Sequence, residues 1–203
     1  MKLGESLAYS PSSLSDLDFI CGMDEVGRGC GAGPVVTAAV ILPRDFRSSI
    51  LRDSKKLSDK QRNEAYKIIV NNAISIQCNA GSVSDINSLG INTTTFNTMR
   101  KCLSELSVKP EHILIDGTEW DEKENINNIT LVPKGDDTYM CIAASAIVAK
   151  VRRDEYMCKL HNMFPEYKWD SNKGYLTKDH ISGLIEFGAT KYHRTQFIKN
   201  FIK

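Results

Sequence analysis

An α/β fold with five strands is predicted for this 203-residue chain by three observations. Five short segments have the alternating or continuously apolar pattern of β-strands, and apolar residues recur at helical spacing between and after them. The hydrophobic and charged fractions, 41% and 25%, are ordinary for a globular protein, so disorder is not expected. The length suits one core with a terminal appendage and is short for two full domains. The predicted strands are Phe19–Met23, Val35–Leu42, Ala73–Cys78, His112–Asp116 and Ile129–Val132.

The first two strands flank a glycine-broken turn that carries the first candidate site. Asp24 and Glu25 lie where the first strand is predicted to end. Neighbouring side chains of a strand point to opposite faces, so both carboxylates can serve one site only at such an end. Alternating glycines over 27–33 let the main chain approach a ligand closely, and Arg28 is the one cation of the turn. Carboxylates beside backbone N–H groups and an arginine indicate a candidate phosphodiester site.

From the residues alone, this turn is equally well explained as a tight hairpin whose charges face water. A dinucleotide-binding motif is excluded, because Gly27-Arg28-Gly29 is followed by Cys-Gly-Ala, without a glycine at the required third position. The segment that follows also has the pattern of a strand, where that motif needs a helix. No Gly-Lys-Ser/Thr sequence follows at the spacing of a P-loop.

Helical spacing and capping residues predict four helices in the rest of the chain. Ser58 is a candidate N-cap for the first, and Thr177 for the last. Phe96 and Met99 lie at helical spacing in the second and are assigned to the core. Residues 82–90 are rich in turn-forming residues, and no helix is predicted there. The predicted helices are 59–71, 93–106, 139–160 and the segment from the Thr177 cap to Phe187.

Asp116 ends the apolar run His112–Ile115. Such a run is typical of a strand buried on both faces, and an aspartate at its carboxyl end is placed for a site at the sheet edge. Taken alone, Asp116 before a glycine is better explained as a turn or capping residue. Together with Asp24 and Glu25 it favours a metal site, which needs carboxylates from separate strand ends.

Three further segments contain residues with both a structural and a functional explanation. Asp136 and Asp137 lie at the start of the long predicted helix, where capping explains either one. The Lys55–Lys56 pair is ordinarily a solvated face. Tyr175 lies in a polar loop beside a lysine and a glycine, which suits either stacking on a sugar or base, or a lid on the core.

Charge and cysteine usage narrow the class of protein. From Lys134 onward there are 12 Lys+Arg against 8 Asp+Glu, so this part of the chain has a net charge of +4. The whole chain has a net charge of +1, which leaves −3 for residues 1–133. This modest skew suits a nucleic-acid enzyme with an acidic site and a basic phosphate track. The six cysteines form no Cys-x-x-Cys pair, so no zinc or redox motif is indicated. With no signal-peptide-like or membrane-length apolar run, we expect a soluble, cytoplasmic protein with no membrane partner.

A series of motifs opens with MDEVGRG at 23–29 and AGPVV at 32–36. It continues with DSKKL at 53–57, IDG at 115–117, KGD at 134–136, Ile142–Lys150 with RD at 153–154, KGY at 173–175 with Thr177 and His180, and HR at 193–194 with Phe197. In content and order the series resembles the ribonuclease HII family over residues 19 to about 198. Two positions depart from the family pattern: Thr118 stands where Asn is expected after Asp-Gly, and Ser145 is displaced by one position.

The resemblance implies a ribonuclease H-like mixed five-stranded sheet flanked by helices, with a helical C-terminal extension. It implies an endonuclease that hydrolyses RNA in RNA–DNA hybrids and at single ribonucleotides embedded in duplex DNA, with roles in DNA replication and repair. Cleavage would leave 5′-phosphate and 3′-hydroxyl ends. The expected partners are these duplexes, and the expected state is a monomer. The implied divisions are a flexible arm at 1–17, a catalytic domain at 18–160 and a substrate-binding extension at 161–203.

The resemblance also assigns site residues. Counting back along the family spacing from Lys150 selects Asp136 and leaves Asp137 as the cap. The implied catalytic residues, which would bind two Mg²⁺ or Mn²⁺ ions, are Asp24, Glu25, Asp116 and Asp136. The implied substrate-binding residues are Gly27, Arg28 and Gly29 as a sensor of the ribose 2′-hydroxyl, Lys55 as a phosphate contact, and Tyr175 as a stacking residue at the RNA-to-DNA junction. Two alternatives stay open: a nuclease of the same superfamily acting on DNA without ribose preference, and a non-catalytic nucleic-acid-binding protein.

Overall fold

The computed structural model describes residues 7–51, 54–121 and 128–202, except for the side chain of Lys55. Within them, five strands form one mixed sheet in the order β3-β2-β1-β4-β5. Strands β1, β2 and β3 are antiparallel neighbours, whereas β4 runs parallel to both β1 and β5. The predicted fold class is confirmed. The strands are β1 (Ile20–Val26), β2 (Val35–Ile41), β3 (Ser75–Gly81), β4 (His112–Asp116) and β5 (Ile129–Val132).

The predicted helices are present, with small shifts at their ends. Ser58 caps the first, with a capping box in which its hydroxyl accepts from the Gln61 N–H and the Gln61 side chain accepts from the Ser58 N–H. Thr177 caps helix α6 as predicted. The described helices are α1 (Asp59–Asn72), α2 (Val83–Leu89), α3 (Ile91–Glu105), α4 (Met140–Met163), α5 (Trp169–Asn172), α6 (Lys178–Phe187) and α7 (Thr195–Ile198).

Helix α2 corrects the expectation that residues 82–90 contain no helix. The Ser82 hydroxyl accepts from the Asp85 N–H and so caps the first turn, and Val83 and Ile86 are buried. Gly90 then ends the helix at φ 83°. The serine, aspartate and glycine that indicated turns are therefore the cap, the first turn and the stop of a short helix.

Helices cover both faces of the sheet. Alternate residues of β2 point to opposite sides: Ala38 and Val40 pack in a cluster with α1 and α4, whereas Ala39 and Ile41 pack in a cluster with α3. Helix α4 lies very close to β1, because Gly22 has no side chain and a Cβ there would stand 2.1 Å from the backbone of Cys141. The centre of β1 is therefore closed to water on both sides.

Strand β1 ends three residues later than predicted, because its pairing with β2 continues to Val26↔Val36. Asp24 and Glu25 therefore lie inside the strand, near its end, and not beyond it. Asp24 is on the α4 side, while Glu25 lines a cavity with residues of α3. Since β4 runs parallel to β1 with Met23 opposite Ile115, the next positions, Asp24 and Asp116, meet at one edge of the sheet.

The C-terminal part of the chain packs on the end of α4. Its core contains Trp169, Tyr167 and Leu184, together with Met157 of α4 and Ala32 of the glycine-rich turn. At the other end, residues 7–17 contact the sheet region: Ala8 bridges to Tyr139, and Leu7 is buried. The remainder of the predicted flexible arm, residues 1–6, lies outside the described residues. None of the described helices is long and apolar enough to span a membrane.

Candidate active site

Four carboxylates meet at the sheet edge where β1 and β4 end. Asp24 is 8% exposed and Asp136 is 7% exposed, in a 3-10 turn that follows β5. Burial raises the pKa of the Asp24 carboxyl well above its usual range. Negative charge on Glu25, Asp116 and Asp136 raises the pKa of this carboxyl further. The four predicted catalytic residues are therefore close enough to interact electrostatically.

Backbone N–H groups hold two of these carboxylates. The Glu25 N–H donates to Asp24 Oδ1 at 2.6 Å, and the Gly135 N–H donates to Asp116 Oδ1 at 2.7 Å. The second bond brings the 3-10 turn against the end of β4. Lys134, in the left-handed conformation at φ 58°, reverses the chain there. This turn delivers Asp136 to the site.

Asp136 and Asp137 have different surroundings. Asp136 is buried at the sheet edge. The side chain of Asp137 is 39% exposed and pairs with Lys56 Nζ at 2.6 Å. Both lie in the 3-10 turn before α4, and neither caps that helix, whose N-cap is Tyr139.

The carboxylates suit hard divalent cations in chemistry, because such ions prefer oxygen ligands. Their mutual repulsion at Asp24 is the kind that bound positive charge relieves. Within 7–51, 54–121 and 128–202, however, no three acidic, histidine or cysteine side chains are arranged as a ready ligand cage.

The glycine-rich loop (residues 27–34) runs beside the carboxylates. Gly27 is at φ 91°, and a Cβ there would stand 2.1 Å from Arg153 Nε, so this glycine is required by the fold. A Cβ at Gly29 would meet no atom within 4 Å. Arg28 donates to Asn92 Oδ1 at 2.7 Å and stands 3.6 Å from Glu25 Oε1. The loop therefore presents an open backbone at Gly29 and an oriented guanidinium.

A cavity of about 270 Å³ adjoins Asp116. Its lining includes the polar residues Thr118 and Glu119 and the apolar residues Phe96 and Met99. From sequence, Phe96 and Met99 are predicted only as core residues, and no role is predicted for Asn92. An isolated motif could not reveal them, because α3 reaches the site only through its packing on the sheet. Trp120 anchors the loop after Asp116 by an edge contact with the Phe96 ring, 5.7 Å between centroids.

Tyr175 lies on the neighbouring tyrosine loop (residues 173–177) and is 46% exposed. Its carbonyl oxygen accepts from His180 Nδ1 at 2.9 Å. Trp169 Nε1 donates to His180 Nε2 at 3.1 Å, which fixes His180 as the neutral Nδ1–H tautomer. His193 Nδ1 accepts from the Thr190 N–H, so its Nε2–H is the donor to His180 Nε2 at 3.1 Å. A chain of neutral rings thus supports the backbone of Tyr175.

This histidine pair predicts a loss of stability in acid. Burial lowers the pKa of His193 to about 4, and the neighbouring His180 acts in the same direction. Between pH 6.5 and 4 the unfolded chain binds the proton and the folded chain does not, so stability falls as the pH is lowered. The loss attributable to His193 is of the order of 3 kcal/mol. It is measured by urea unfolding across this range.

His193→Gln is the control for that measurement, because it removes the titration and retains an amide donor. The comparison is needed because Asp24, with a raised pKa, titrates with the opposite effect on stability. The variant should lose less stability than the parent between pH 6.5 and 4. Equal losses in both proteins would show that His193 is not held neutral in the fold.

Lys55 belongs to a 3-10 segment, Ser54–Lys56, that precedes α1. Its side chain lies outside the described residues, as does Asp53, so its predicted phosphate contact stays a prediction.

Comparison with known proteins agrees with the fold. A ribonuclease HII from Bacteroides thetaiotaomicron is 44% identical over 176 residues, covering 87% of this chain and 88% of the relative. The crystal structure of the ribonuclease H2 from Pyrococcus horikoshii OT3 superposes with a TM-score of 0.75 at 20% identity, covering 90% and 98% of the two chains. Bst-RNase HIII in complex with Mn²⁺ superposes with a TM-score of 0.65 at 21% identity, covering 94% and 66%.

The fold and these relatives define the class of protein: a hydrolase, and within that class a ribonuclease H endonuclease. The sequence model described as Ribonuclease HII matches residues 21–200. The chain belongs to the ribonuclease HII family.

Proposed function

We propose that this protein hydrolyses the RNA strand of RNA–DNA hybrids and cleaves duplex DNA at single embedded ribonucleotides, leaving 5′-phosphate and 3′-hydroxyl ends. The observation that carries the proposal is the meeting of four interacting carboxylates, at a sheet edge, with a glycine-rich loop whose backbone is open at Gly29. Membership of the ribonuclease HII family supports the choice of RNA–DNA hybrid as substrate class.

The residues that would hold two divalent ions, Mg²⁺ or Mn²⁺, are Asp24, Glu25, Asp116 and Asp136. In such sites the ions supply activation of the attacking water and neutralisation of charge at the leaving oxygen. The protein's own contribution is to fix Asp116 through the Gly135 N–H and to hold Asp136 buried beside it. Burial and crowding also make the metal-free charged state of Asp24 costly, so that binding of cations is favoured.

Recognition of ribose requires a contact with the 2′-hydroxyl, the group that distinguishes RNA from DNA at one position. The backbone at Gly29 has the open space that such a contact needs. Arg28, oriented by Asn92 and Glu25, lies where it can bind an adjacent phosphate oxygen. Lys55 would bind a further phosphate, and the extension over 161–203 would supply Tyr175 to the catalytic unit over 18–160.

Tyr175 and Gly29 should affect two substrates differently. The Tyr175 ring would supply stacking worth ~1–3 kcal/mol. This stacking is needed most in a duplex with one ribonucleotide, where a single RNA-to-DNA junction defines the cleavage position. Tyr175→Ala should therefore reduce kcat/KM for a lone ribonucleotide at least ~5-fold more than for a continuous hybrid, in which many registers are equivalent. Gly29→Ala should reduce both, because its methyl group occupies the open space without straining the fold. Both constants are measured at one salt concentration, since phosphate contacts are salt-dependent.

Two control variants make this comparison specific. Tyr175→Phe retains the ring and should keep the parent ratio of the two kcat/KM values. Tyr156→Ala removes a tyrosine of similar exposure, 40%, from α4 and should also keep it. Equal losses on both substrates for Tyr175→Ala would leave Tyr175 as a structural lid on the extension.

The proposed function is tested most simply by comparing an RNA–DNA hybrid with an all-DNA duplex of the same sequence, in Mg²⁺ and in Mn²⁺. Cleavage of the RNA strand alone supports the proposal. Comparable cleavage of the all-DNA duplex would favour the alternative of a superfamily nuclease without ribose preference. No cleavage of the hybrid with either ion would overturn the proposed activity.

A further inference from the structure

Two fully buried arginines lie beneath the glycine-rich loop. Arg153 of α4 and Arg194 of the C-terminal segment are both 0% exposed. Their hydrogen bonds go to backbone carbonyl oxygens, and no ion pair to either is found among the described residues. A buried cation is costly unless it is well hydrogen-bonded. Two of them around one loop therefore call for an explanation beyond packing.

Arg153 binds two separate loops with one guanidinium. Its Nε donates to Pro34 O at 2.9 Å and its Nη2 to Ala32 O at 3.1 Å, both in the glycine-rich loop. Its Nη1 donates to Lys173 O at 2.7 Å, in the tyrosine loop. The arginine side chain passes directly under Gly27, where any Cβ would collide with it.

Arg194 offers a matched comparison, because the described hydrogen bonds of its guanidinium all go to the glycine-rich loop. Its Nε donates to Gly33 O at 2.9 Å and its Nη1 to Arg28 O at 2.8 Å. It has the same charge and burial as Arg153 and the same kind of acceptors. Its guanidinium makes no hydrogen bond to the tyrosine loop among the described residues.

The two loops also touch directly. The N–H groups of Gly31 and Ala32 both donate to Gly174 O, at 2.9 and 3.3 Å. Gly174 is at φ 87°, and a Cβ there would stand 2.5 Å from Ala32 O. Arg153 and the missing side chain of Gly174 thus both hold the glycine-rich loop close to the tyrosine loop, which carries the exposed ring of Tyr175.

We infer that Arg153 is a positioning residue that sets the distance between the glycine-rich loop and Tyr175, and so determines how well the enzyme selects a lone ribonucleotide over a continuous hybrid. The inference rests on the proposed function. The rigid, planar guanidinium of an arginine can bind three carbonyl groups in fixed directions at once. A lysine ammonium on a flexible side chain cannot hold both loops in one relative position. A junction read by two loops requires their spacing to be fixed, while a continuous hybrid offers many equivalent positions.

The test compares Arg153→Lys with Arg194→Lys, using kcat/KM for a duplex with one ribonucleotide and for a continuous hybrid. Both variants loosen the glycine-rich loop and should lose activity on both substrates. Only Arg153→Lys should also lower the ratio of kcat/KM for the lone ribonucleotide to kcat/KM for the continuous hybrid, by at least about fivefold. An unchanged ratio in Arg153→Lys, or the same shift in Arg194→Lys, would overturn the inference.

Gly174→Ala provides a second route that leaves both buried cations in place. It pushes the tyrosine loop away from Ala32 and should shift the ratio in the same direction. Combining Arg153→Lys or Gly174→Ala with Tyr175→Ala should produce no further shift in the ratio of the two kcat/KM values, because the spacing of the loops acts through the Tyr175 ring. An additive shift in the double variant would mean that Arg153 acts on the fold generally. If the parent protein cleaved neither substrate, the proposed function itself would fail, a result distinct from any of these.

Discussion

Asp24→Asn and Asp116→Asn will each reduce turnover of an RNA–DNA hybrid by at least ~10³-fold, because each removes a carboxylate charge from the proposed metal site. The fold should survive, since asparagine has nearly the shape of aspartate and can still accept the N–H bonds from Glu25 and Gly135. The measurement is kcat under saturating metal, with circular dichroism as the check on folding. Turnover within tenfold of the parent for either variant would contradict the assignment of these carboxylates.

Thermal stability provides a second readout for Asp24→Asn. The raised pKa of Asp24 means that its protonated form is favoured in the folded state. Its contribution to stability is therefore present at low pH and is lost as the pH rises through the folded pKa. At neutral pH without divalent ions, Asp24→Asn should have a higher Tm than the parent. Added Mg²⁺ should stabilise the parent more than the variant.

Asp136→Asn will also reduce turnover by at least ~10³-fold, whereas Asp137→Asn will stay within about threefold of the parent. The two residues are adjacent, so the pair is internally matched. Asp136 is buried with the other carboxylates, but Asp137 is partly exposed and pairs with Lys56. An exposed ion pair of that kind contributes little to stability or to the site. The same hybrid cleavage assay compares the two variants.

The opposite order of effects would mean that the family spacing counted from Lys150 had selected the wrong aspartate. Lys56→Met serves as a further control, because it breaks the Asp137 ion pair from the other side. Its turnover should match that of Asp137→Asn.

The sheet could be predicted from sequence because the strands carry short-range patterns. His112–Asp116 and Ile129–Val132 match the prediction at both ends. The extension of β1 to Val26 could not be predicted from sequence, because it depends on pairing with β2 across a turn. Helix α2 was missed because its capping and terminating residues are the ones that also make turns.

The site was predictable only in part, for a similar reason. Motif order indicated the carboxylates and the glycine-rich loop, and the structure brings Asp24, Asp116 and Asp136 to one edge. Sequence could not separate the two glycines, because only packing shows that Gly27 makes room for Arg153 while Gly29 faces open space. The role of Arg153 was hidden for the same reason, since its partners are carbonyl groups 20 and about 120 residues away.

The most direct test of the account is single-turnover cleavage of a duplex that carries one ribonucleotide, with the cut position and end groups mapped. We expect one cut at the ribonucleotide, leaving a 3′-hydroxyl and a 5′-phosphate, and no cut in the matched all-DNA duplex. A 2′,3′-cyclic phosphate would show that the ribose hydroxyl, and not water, attacks the phosphorus. That result, or equal cleavage of the all-DNA duplex, would contradict the account.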